Sequence, residues 1–256
     1  MLGTIQRMAR FIGSSGRPAV PTIFHITHHK AGSQWLNRIF QAIALDRMVL
    51  PEVQNLQFLH KPIGAGRIYP TLYLTREQFE SVALPRRWRR FVVIRDLRDT
   101  LVSLYFSLKH SHKLLTEVMR SRRATLTELS EEDGLLYLIE CGLTPMAQVQ
   151  WSWHASRESL IRYEELLERD EEILMPLLLR HCGLAIEPER LRGVIRSHRF
   201  EAQSGRKRGT EDAHAHERKG IAGDWRNHFT DKVRAEFKRC YGSVLIATGY
   251  ERSFNW

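Results

Sequence analysis

A strand, a tight turn and the start of a helix follow one another between residues 20 and 45, and this junction constrains the fold most. Residues 20–26 are mostly apolar and predict a buried strand, whereas an amphipathic pattern over residues 33–45 predicts a helix. The turn between them, THHKAGSQW at residues 27–35, holds one glycine and one lysine. Such a junction presents free backbone N–H groups and the positive end of a helix dipole to an anion. It lacks the longer glycine loop of a Walker A motif, which disfavours an ordinary kinase or ATPase.

The alternation of strand and helix continues along the chain. Short apolar runs predict strands at residues 90–94 (RFVVI) and 159–163 (SLIRY). Further helices are predicted at residues 101–108, 164–181, 187–197 and 230–248. This order predicts a single α/β domain whose central, mostly parallel sheet is flanked by helices. Ligands of such sheets bind beyond the carboxyl ends of the strands, where the 27–35 turn, Arg95 and Tyr163 are all expected.

Composition and charge limit the partners and the compartment. The net charge of +10 implies an anionic partner: a nucleotide, a nucleic acid, an acidic lipid surface or a polyanionic substrate. The three cysteines are far apart, so neither a metal site nor a disulfide framework is indicated, and a reducing, cytoplasmic location fits best. Residues 1–19 lack the apolar run of a signal peptide or a membrane span and are predicted to be an N-terminal extension to a domain at residues 20–256.

The segment at residues 202–223 is polar, contains glycines and shows no periodicity, which predicts a long loop. Two interpretations stay open at this point: a mobile lid over an anion, or a solvated run of charges. The basic residues that suit the lid are Arg206, Lys207, Arg208, Arg218 and Lys219.

Four segments, taken in order and spacing, together resemble the sulfotransferases that use 3′-phosphoadenosine 5′-phosphosulfate (PAPS). The turn THHKAGSQW resembles that family's 5′-phosphosulfate loop, TYPKSGTTW. Residues 93–107 (VIRDLRDTLVSLYFS) resemble its 3′-phosphate motif. Residues 161–168 (IRYEELLE) resemble the strand–helix element whose Tyr approaches adenine, and residues 218–230 (RKGIAGDWRNHFT) are similar to its RKGxxGDWxNxFT signature. The resemblance favours the soluble, bacterial or cytosolic type, with a P-loop-like sulfotransferase fold.

The resemblance implies PAPS as co-substrate, adenosine 3′,5′-bisphosphate (PAP) as product, and no metal. Lys30 would neutralise the leaving 5′-phosphate, and the loop around Gly32 would hold its oxygens, with roles for Ala31, Ser33 and Gln34. Arg95 and Ser103 would bind the 3′-phosphate, a task that suits the planar Arg fork. The loop residues Arg218, Lys219 and Gly220 would close over it, and the adenine would be flanked by Trp35, Tyr163 and Phe200. The catalytic residues expected are Lys30, His29 and Ser103.

The chain departs from the family at the general base. That residue is usually a His in a KTHLP-like strand, but the corresponding residues 67–74 (RIYPTLYL) contain none. His29 is the first substitute expected, because it precedes Lys30 and an imidazole has a suitable pKa. His60, His28, a carboxylate such as Glu52 or Glu77, or no dedicated base are the alternatives. The other histidines are interpreted as surface or packing residues: His110, His112, His198, His214, His216 and His228.

The acceptor is predicted to be a hydroxylated small molecule, phenolic or lipid-like, in preference to a polyanionic glycan. Glu52 and residues 56–73 are expected to form part of its pocket. The apolar and aromatic residues expected at the entrance are Leu56, Phe58, Leu59, Ile63, Tyr69 and Tyr73.

Three other functions stay open. They are a protein that binds PAP without catalysis, a nucleic-acid-binding module built on the basic loop, and a phosphotransferase related to nucleotide kinases. No nucleic-acid-binding motif is recognisable, so nucleic acid is not the expected partner. The family's dimerisation signature is only partly present near Thr230, which leaves monomer and homodimer both open.

Overall fold

A four-stranded parallel sheet forms the centre of the computed structural model, which describes residues 20–52, 56–113, 115–156 and 158–256. The strand order is β2-β1-β3-β4. The strands are β1 (Thr22–Ile26), β2 (Ile68–Leu72), β3 (Trp88–Ile94) and β4 (Leu160–Arg162). The predicted α/β class with a parallel sheet is confirmed. The N-terminal extension predicted at residues 1–19 lies outside the described residues.

Helices cover both faces of the sheet. They are α1 (Ser33–Ala44), α2 (Leu56–Leu59), α3 (Arg76–Glu80), α4 (Leu97–Phe106), α5 (Glu117–Glu128), α6 (Glu131–Cys141), α7 (Thr144–His154), α8 (Tyr163–Pro176), α9 (Pro188–Ser197), α10 (Phe200–Ser204) and α11 (Asp231–Ala247). Two of them continue into π-helical turns, Ser107–Ser111 and Leu177–His181, and short 3₁₀ turns occupy Leu45–Arg47 and Asp224–Asn227. Among the described helices, none combines the length and the apolar character needed to cross a bilayer.

The alternation of side chains along the strands sends neighbouring residues to opposite faces of the sheet. Ile23 and Val93 pack on one face with the buried side of α1 and with α8 and α9. Phe24 and Val92 pack on the other face, where Trp153 of α7 completes the core. A third cluster joins α4, α5, α6 and α11 beyond the edge of the sheet. The strands read as continuous apolar runs because both of their faces are buried.

The sequence predictions differ from the structure in several places. Helices α2, α3, α5, α6 and α7 fill stretches for which no helix was predicted. Helix α4 begins at Leu97, earlier than predicted, because the Asp96 side chain caps it by accepting a hydrogen bond from the Arg98 N–H at 2.9 Å. Helix α10 includes residues 202–204, the first part of the predicted loop.

Candidate functional site

One cavity lies beyond the carboxyl ends of β1 and β3, and it gathers nearly all of the predicted site residues. The predicted residues that line it are His29, Lys30, Gly32, Ser33, Gln34, Trp35, Arg95, Ser103, Tyr163, Phe200, Arg218, Lys219 and Gly220. Ala31 is the exception, because its side chain is fully buried beneath the turn. Four segments far apart in the sequence thus meet at one edge of the sheet, as the parallel topology predicted.

The turn between β1 and α1 is shaped to expose backbone donors. Lys30 has a φ of 69° and Gly32 a φ of 78°, both in the left-handed region. A Cβ on Gly32 would lie 2.7 Å from the Tyr163 ring, so only glycine fits there. None of the described side chains caps α1. The first N–H groups of this helix are therefore free to bind an anion, and the helix dipole adds to the attraction.

Lys30 extends the same anion site with a mobile charge. Its ammonium group forms no ion pair with any residue that the structure describes. Burial and, to a smaller extent, the positive charge of Arg95 together lower the pKa of Lys30 to about 8. An unpaired cation in this environment is stabilised by an incoming anion, which would raise its pKa again.

Arg95, at the end of β3, is held from two sides and keeps one donor unused. Its Nη1 donates to the Lys30 carbonyl at 2.9 Å, and its guanidinium lies 4.8 Å from the centre of the Tyr163 ring. Burial lowers its pKa, but nearby groups, chiefly Asp99, outweigh this and raise it. Among the described residues, none accepts a hydrogen bond from the buried Nε. A buried donor without a partner is a candidate contact for a ligand. Ser103 of α4 lines the same cavity.

The His28 side chain connects the turn after β1 with Arg95 at the end of β3. Its Nδ1 lies 2.8 Å from the His29 carbonyl, and its Nε2 lies 3.2 Å from the Arg95 N–H and 2.8 Å from Gln150 Nε2. Burial lowers the pKa of His28 to about 3. Both ring nitrogens are within hydrogen-bond distance of protein groups, and His28 is buried and does not line the cavity. This position favours a structural role for His28 over that of a base.

His29 faces the cavity. His29 is exposed at the mouth of the cavity. Desolvation by the surrounding protein and, to a smaller extent, the charges of His112 and Lys30 together lower its pKa to about 4. The imidazole is therefore neutral at pH 7 and can accept a proton. Its ring centre lies 3.9 Å from that of Tyr73.

The other candidates for the base do not reach the cavity. His60 is exposed and does not contribute to the lining. Glu52 forms an ion pair with Lys61 at 2.6 Å, away from the lining residues. Glu77 lies in α3 and is also outside the cavity.

Several lining residues were missed in the sequence. They are Arg38, Tyr73 (expected only at an acceptor entrance), His112, Leu167, His198, Gln203, His216, Glu217 and Ile221. Arg208, one of the basic residues expected to suit a lid, also lines the cavity. The interpretation of His112, His198 and His216 as surface or packing residues is wrong, because tertiary packing brings them into the cavity. Position offered a signal for two of the missed residues: Tyr73 directly follows β2, and His216 lies two residues before the RKG signature.

The expected apolar entrance is also corrected. Phe58 and Tyr69 are buried in the sheet core at 0% and 2% exposure, and Leu59 and Ile63 pack against the same cluster. The side chain of Leu56 lies outside the described part of the chain. Of the predicted set, Tyr73 alone is among the described residues that line the cavity.

Aromatic rings and glycines form the wall on the far side of Arg95. Trp35 and Tyr163 meet edge to face with their centres 6.4 Å apart. Gly220 has a φ of 67°, and a Cβ there would lie 2.5 Å from the Phe200 ring. This wall has the flat apolar surfaces against which the planar ring of a nucleobase can pack.

The loop that covers the cavity is folded by its own hydrogen bonds. Arg206 donates to the carbonyls of Thr210, Glu217 and Arg218. It does not line the cavity, and Lys207 does not either, so the suggestion that both face an anion is wrong. Arg206 stabilises the loop through its hydrogen bonds, and Lys207 is exposed to solvent.

Three contacts fasten this loop to the domain. Glu217 pairs with Arg38 of α1 at 2.7 Å. Asp224 pairs with Arg218 and, at 2.6 Å, with Lys219. At the end of the loop, the Asp99 carboxylate accepts hydrogen bonds from the N–H groups of Gly223 at 2.6 Å and Trp225 at 2.9 Å.

Comparison with known proteins gives one consistent family. The sequence model of the sulfotransferase domain matches residues 20–249. A 3-alpha-hydroxysteroid sulfotransferase of Cavia porcellus is 26% identical over 261 residues, which cover 90% of this chain and 85% of that protein. A 3-beta-hydroxysteroid sulfotransferase of the same species is 24% identical over 259 residues, with the same shares covered.

Solved structures show the same fold. A mouse sulfotransferase, SULT7A1, complexed with PAP superposes with a TM-score of 0.59 at 20% identity, covering 88% of this chain and 84% of that one. A retinol dehydratase in complex with retinol and PAP gives a TM-score of 0.51 at 15% identity, covering 89% and 82%.

Proposed function

The chain belongs to the family of PAPS-dependent sulfotransferases, and we propose that it transfers a sulfuryl group from PAPS to a hydroxyl, or an amine, of a small molecule and releases PAP. The observation that carries the proposal is the meeting of two anion sites in one cavity. PAPS has phosphates at its 5′ and 3′ positions, and the cavity offers separate donors for each.

The residues present fit the nucleotide. The free N–H groups of α1, with Ser33 and the unpaired Lys30, would hold the 5′-phosphate. The orphan Nε of Arg95, with Ser103, would bind the 3′-phosphate. The Trp35, Tyr163 and Phe200 rings would enclose the adenine. PAPS supplies an activated sulfuryl group, and these residues position it and stabilise the charge that develops.

The acceptor proton requires a base near Lys30, and His29 has this role in our account. The acceptor oxygen bonds to sulfur while the bond from sulfur to the 5′-phosphate oxygen breaks, and the electron pair of that bond stays with PAP. The acceptor proton passes to the neutral His29 imidazole. The pKa of about 4 makes this imidazole a weak base in the free protein. Negative charge on bound PAPS would raise that pKa and strengthen the base.

The acceptor that we propose is a hydroxylated molecule with an apolar or aromatic body. The adjoining rings of His29 and Tyr73 offer flat surfaces to such a body. Two curated relatives are named for hydroxysteroids, which supports the same class.

The loop of residues 205–223 acts as a lid in this proposal. It contributes Arg218, Lys219 and Gly220 to the cavity, and Glu217 fastens it to Arg38. The pair is partly exposed, at 33% and 29% of the two side chains, so opening the loop costs little at this contact.

A cytoplasmic location is also part of the proposal. Cys141, Cys182 and Cys240 are free cysteines, as is usual for proteins of a reducing compartment.

The test is transfer itself. PAPS is incubated with 2-naphthol, a 3-hydroxysteroid or glucosamine, and PAP and the sulfated product are measured by mass spectrometry. We expect a product with the phenol or the steroid. Tight PAP binding without a product from any acceptor would instead identify a non-catalytic PAP-binding protein, and failure to bind PAP would overturn the proposal.

A further inference from the structure

Tyr73 is the cavity residue whose chemistry the proposed function leaves unassigned. It is the first residue after β2, and its hydroxyl lies 2.9 Å from Ser33 Oγ at the start of α1. Its ring lies against His29, with centres 3.9 Å apart. The side chain therefore contacts both Ser33, at the start of α1, and His29, the proposed base.

The reacting atoms must lie in the same place. The sulfuryl group is attached to the 5′-phosphate, which the helix start at Ser33 would hold, and the acceptor hydroxyl must be within reach of His29. The bond that breaks lies between these two points. A hydrogen-bond donor placed there acts on the oxygen at which negative charge develops.

We propose that Tyr73 is a catalytic residue, whose hydroxyl donates a hydrogen bond to the oxygen that leaves with the 5′-phosphate. The inference rests on the proposed function. It assigns a division of labour: His29 removes the acceptor proton, and Tyr73 stabilises the leaving group beside Lys30.

The protonation of Tyr73 agrees with a donor rather than a base. Burial raises its pKa above the usual value of 10, and the hydrogen bond with Ser33 lowers it by less. The hydroxyl thus keeps its proton at neutral pH. In the structure the hydroxyl lies beside Ser33 Oγ, and in our account an oxygen of the 5′-phosphate becomes its hydrogen-bond acceptor when PAPS binds.

The test compares Tyr73→Phe with Tyr69→Phe. Both variants lose one hydroxyl from the β2 segment, but Tyr69 is a core residue whose hydroxyl accepts a hydrogen bond from the Gly64 N–H at 3.0 Å. We expect Tyr73→Phe to lower kcat for PAP release, with 2-naphthol as acceptor, by about 100-fold, the usual effect of removing one such donor. Its PAP affinity and unfolding midpoint should match those of the wild type. Tyr69→Phe should keep the kcat of the wild type.

The pH profile separates a donor from a base. If Tyr73 is the donor, Tyr73→Phe lowers kcat at every pH and leaves the acidic limb, which belongs to His29, in place. Loss of that limb would overturn the assignment, as would a kcat within threefold of the wild type. A fall in kcat matched by an equal loss of PAP affinity and stability would show a structural role and also overturn it.

A second variant keeps the test open if Tyr73→Phe folds poorly. Tyr73→His retains a hydrogen-bond donor, and its kcat should be at least tenfold higher than that of Tyr73→Phe. If the Phe variant cannot be purified, Tyr73→Ala takes its place in this comparison. No recovery contradicts the inference. A wild type that binds PAP but never releases it from PAPS would overturn the proposed function, whereas an active wild type with an equally active Tyr73→Phe would overturn the Tyr73 assignment alone.

Discussion

The two ends of the cavity are built in different ways. The end that we assign to the phosphates, called the phosphate end, comes from two strand–helix junctions, and backbone conformation and helix starts shape it. Its residues are Lys30, Gly32, Ser33, Arg95 and Ser103. The wall that we assign to the acceptor, called the acceptor wall, comes from four separate places in the chain that line the same cavity: His29, Tyr73, His112 and His216. The first end follows from local sequence, whereas tertiary packing assembles the second. Substitutions at the two ends should therefore fail in different ways.

The largest effect is expected at Lys30. Lys30→Met removes the cation that faces the leaving phosphate, and we expect kcat to fall by about 1,000-fold, the upper part of the range for a single charge-stabilising group. Lys61→Met, an exposed lysine outside the cavity, is the matched control. Initial rates of PAP release measure both, and a loss below tenfold in Lys30→Met would remove Lys30 from the catalytic group.

A change at His29 should separate the acceptor wall from the phosphate end. His29→Gln removes the base, and we expect kcat to fall by about 100-fold with PAP affinity unchanged, because general bases contribute about 10²–10⁴-fold. His60→Gln is the control, since His60 is exposed and outside the cavity. Steady-state kinetics and a PAP titration give the two values. Equal kcat values for the two variants would rule out His29 as the base.

A change at Arg95 should mainly weaken nucleotide binding, whereas the change at His29 should mainly lower kcat. Arg95→Lys keeps a charge but loses the planar fork, so we expect PAP to bind about 10–100-fold more weakly, since hydrogen bonds to charged groups contribute about 1.5–3 kcal/mol. Arg89→Lys, at the opposite end of β3, should bind PAP like the wild type. Calorimetric titration measures both. Unchanged PAP affinity in Arg95→Lys would place the 3′-phosphate elsewhere.

Lowering the pH should reduce the free energy of unfolding, because two histidines near the phosphate end, His25 and His28, are buried and neutral. Burial lowers the pKa of His25 to about 4 and that of His28 to about 3, below the unfolded value of 6.5. The unfolded chain therefore binds more protons between these values, and the free energy of unfolding rises with pH through this window and falls as pH decreases. Each residue should cost roughly 2 kcal/mol between pH 7 and 5. Urea unfolding at the two pH values checks this, and equal stability at both would contradict the buried, neutral state.

The smallest effect is expected at the lid. Glu217→Gln breaks a partly exposed ion pair with Arg38, which contributes about 0–1 kcal/mol, so PAP should dissociate no more than a few-fold faster. Stopped-flow dissociation of PAP measures the rate. Asp212→Asn is a control on the same loop, because Asp212 is exposed and its carboxylate accepts a hydrogen bond from the His214 N–H within the loop at 3.0 Å. A change above tenfold would mean that this contact governs opening.

The sequence predicted the phosphate end well because its signals are local. Apolar runs gave β1 and β3, the glycine and lysine marked the turn, and the parallel topology put Arg95 and Tyr163 at the same edge. Strand β2 came from family resemblance, because the proline inside IYPTL disguises it.

The acceptor wall could not be predicted in the same way. Tyr69 and Tyr73 are four residues apart in one apolar stretch, yet one lies in the core and the other in the cavity. Composition does not distinguish them, because the end of β2 decides which side chain reaches the ligand. His112 follows a helix end and has no local pattern that indicates the cavity. For His216 in the lid loop, the signal is its position two residues before the RKG signature.

The two-site phosphate end is the central claim, and thermal unfolding with PAP and with 5′-AMP tests it most directly. The two ligands share the adenine and the 5′-phosphate, but 5′-AMP lacks the 3′-phosphate. At about 100 times its dissociation constant, PAP should stabilise the protein by about 2.7 kcal/mol, a shift of about 5–10 °C. At the same concentration 5′-AMP should give a much smaller shift. Equal shifts with the two ligands, or none with PAP in a folded sample, would contradict the account.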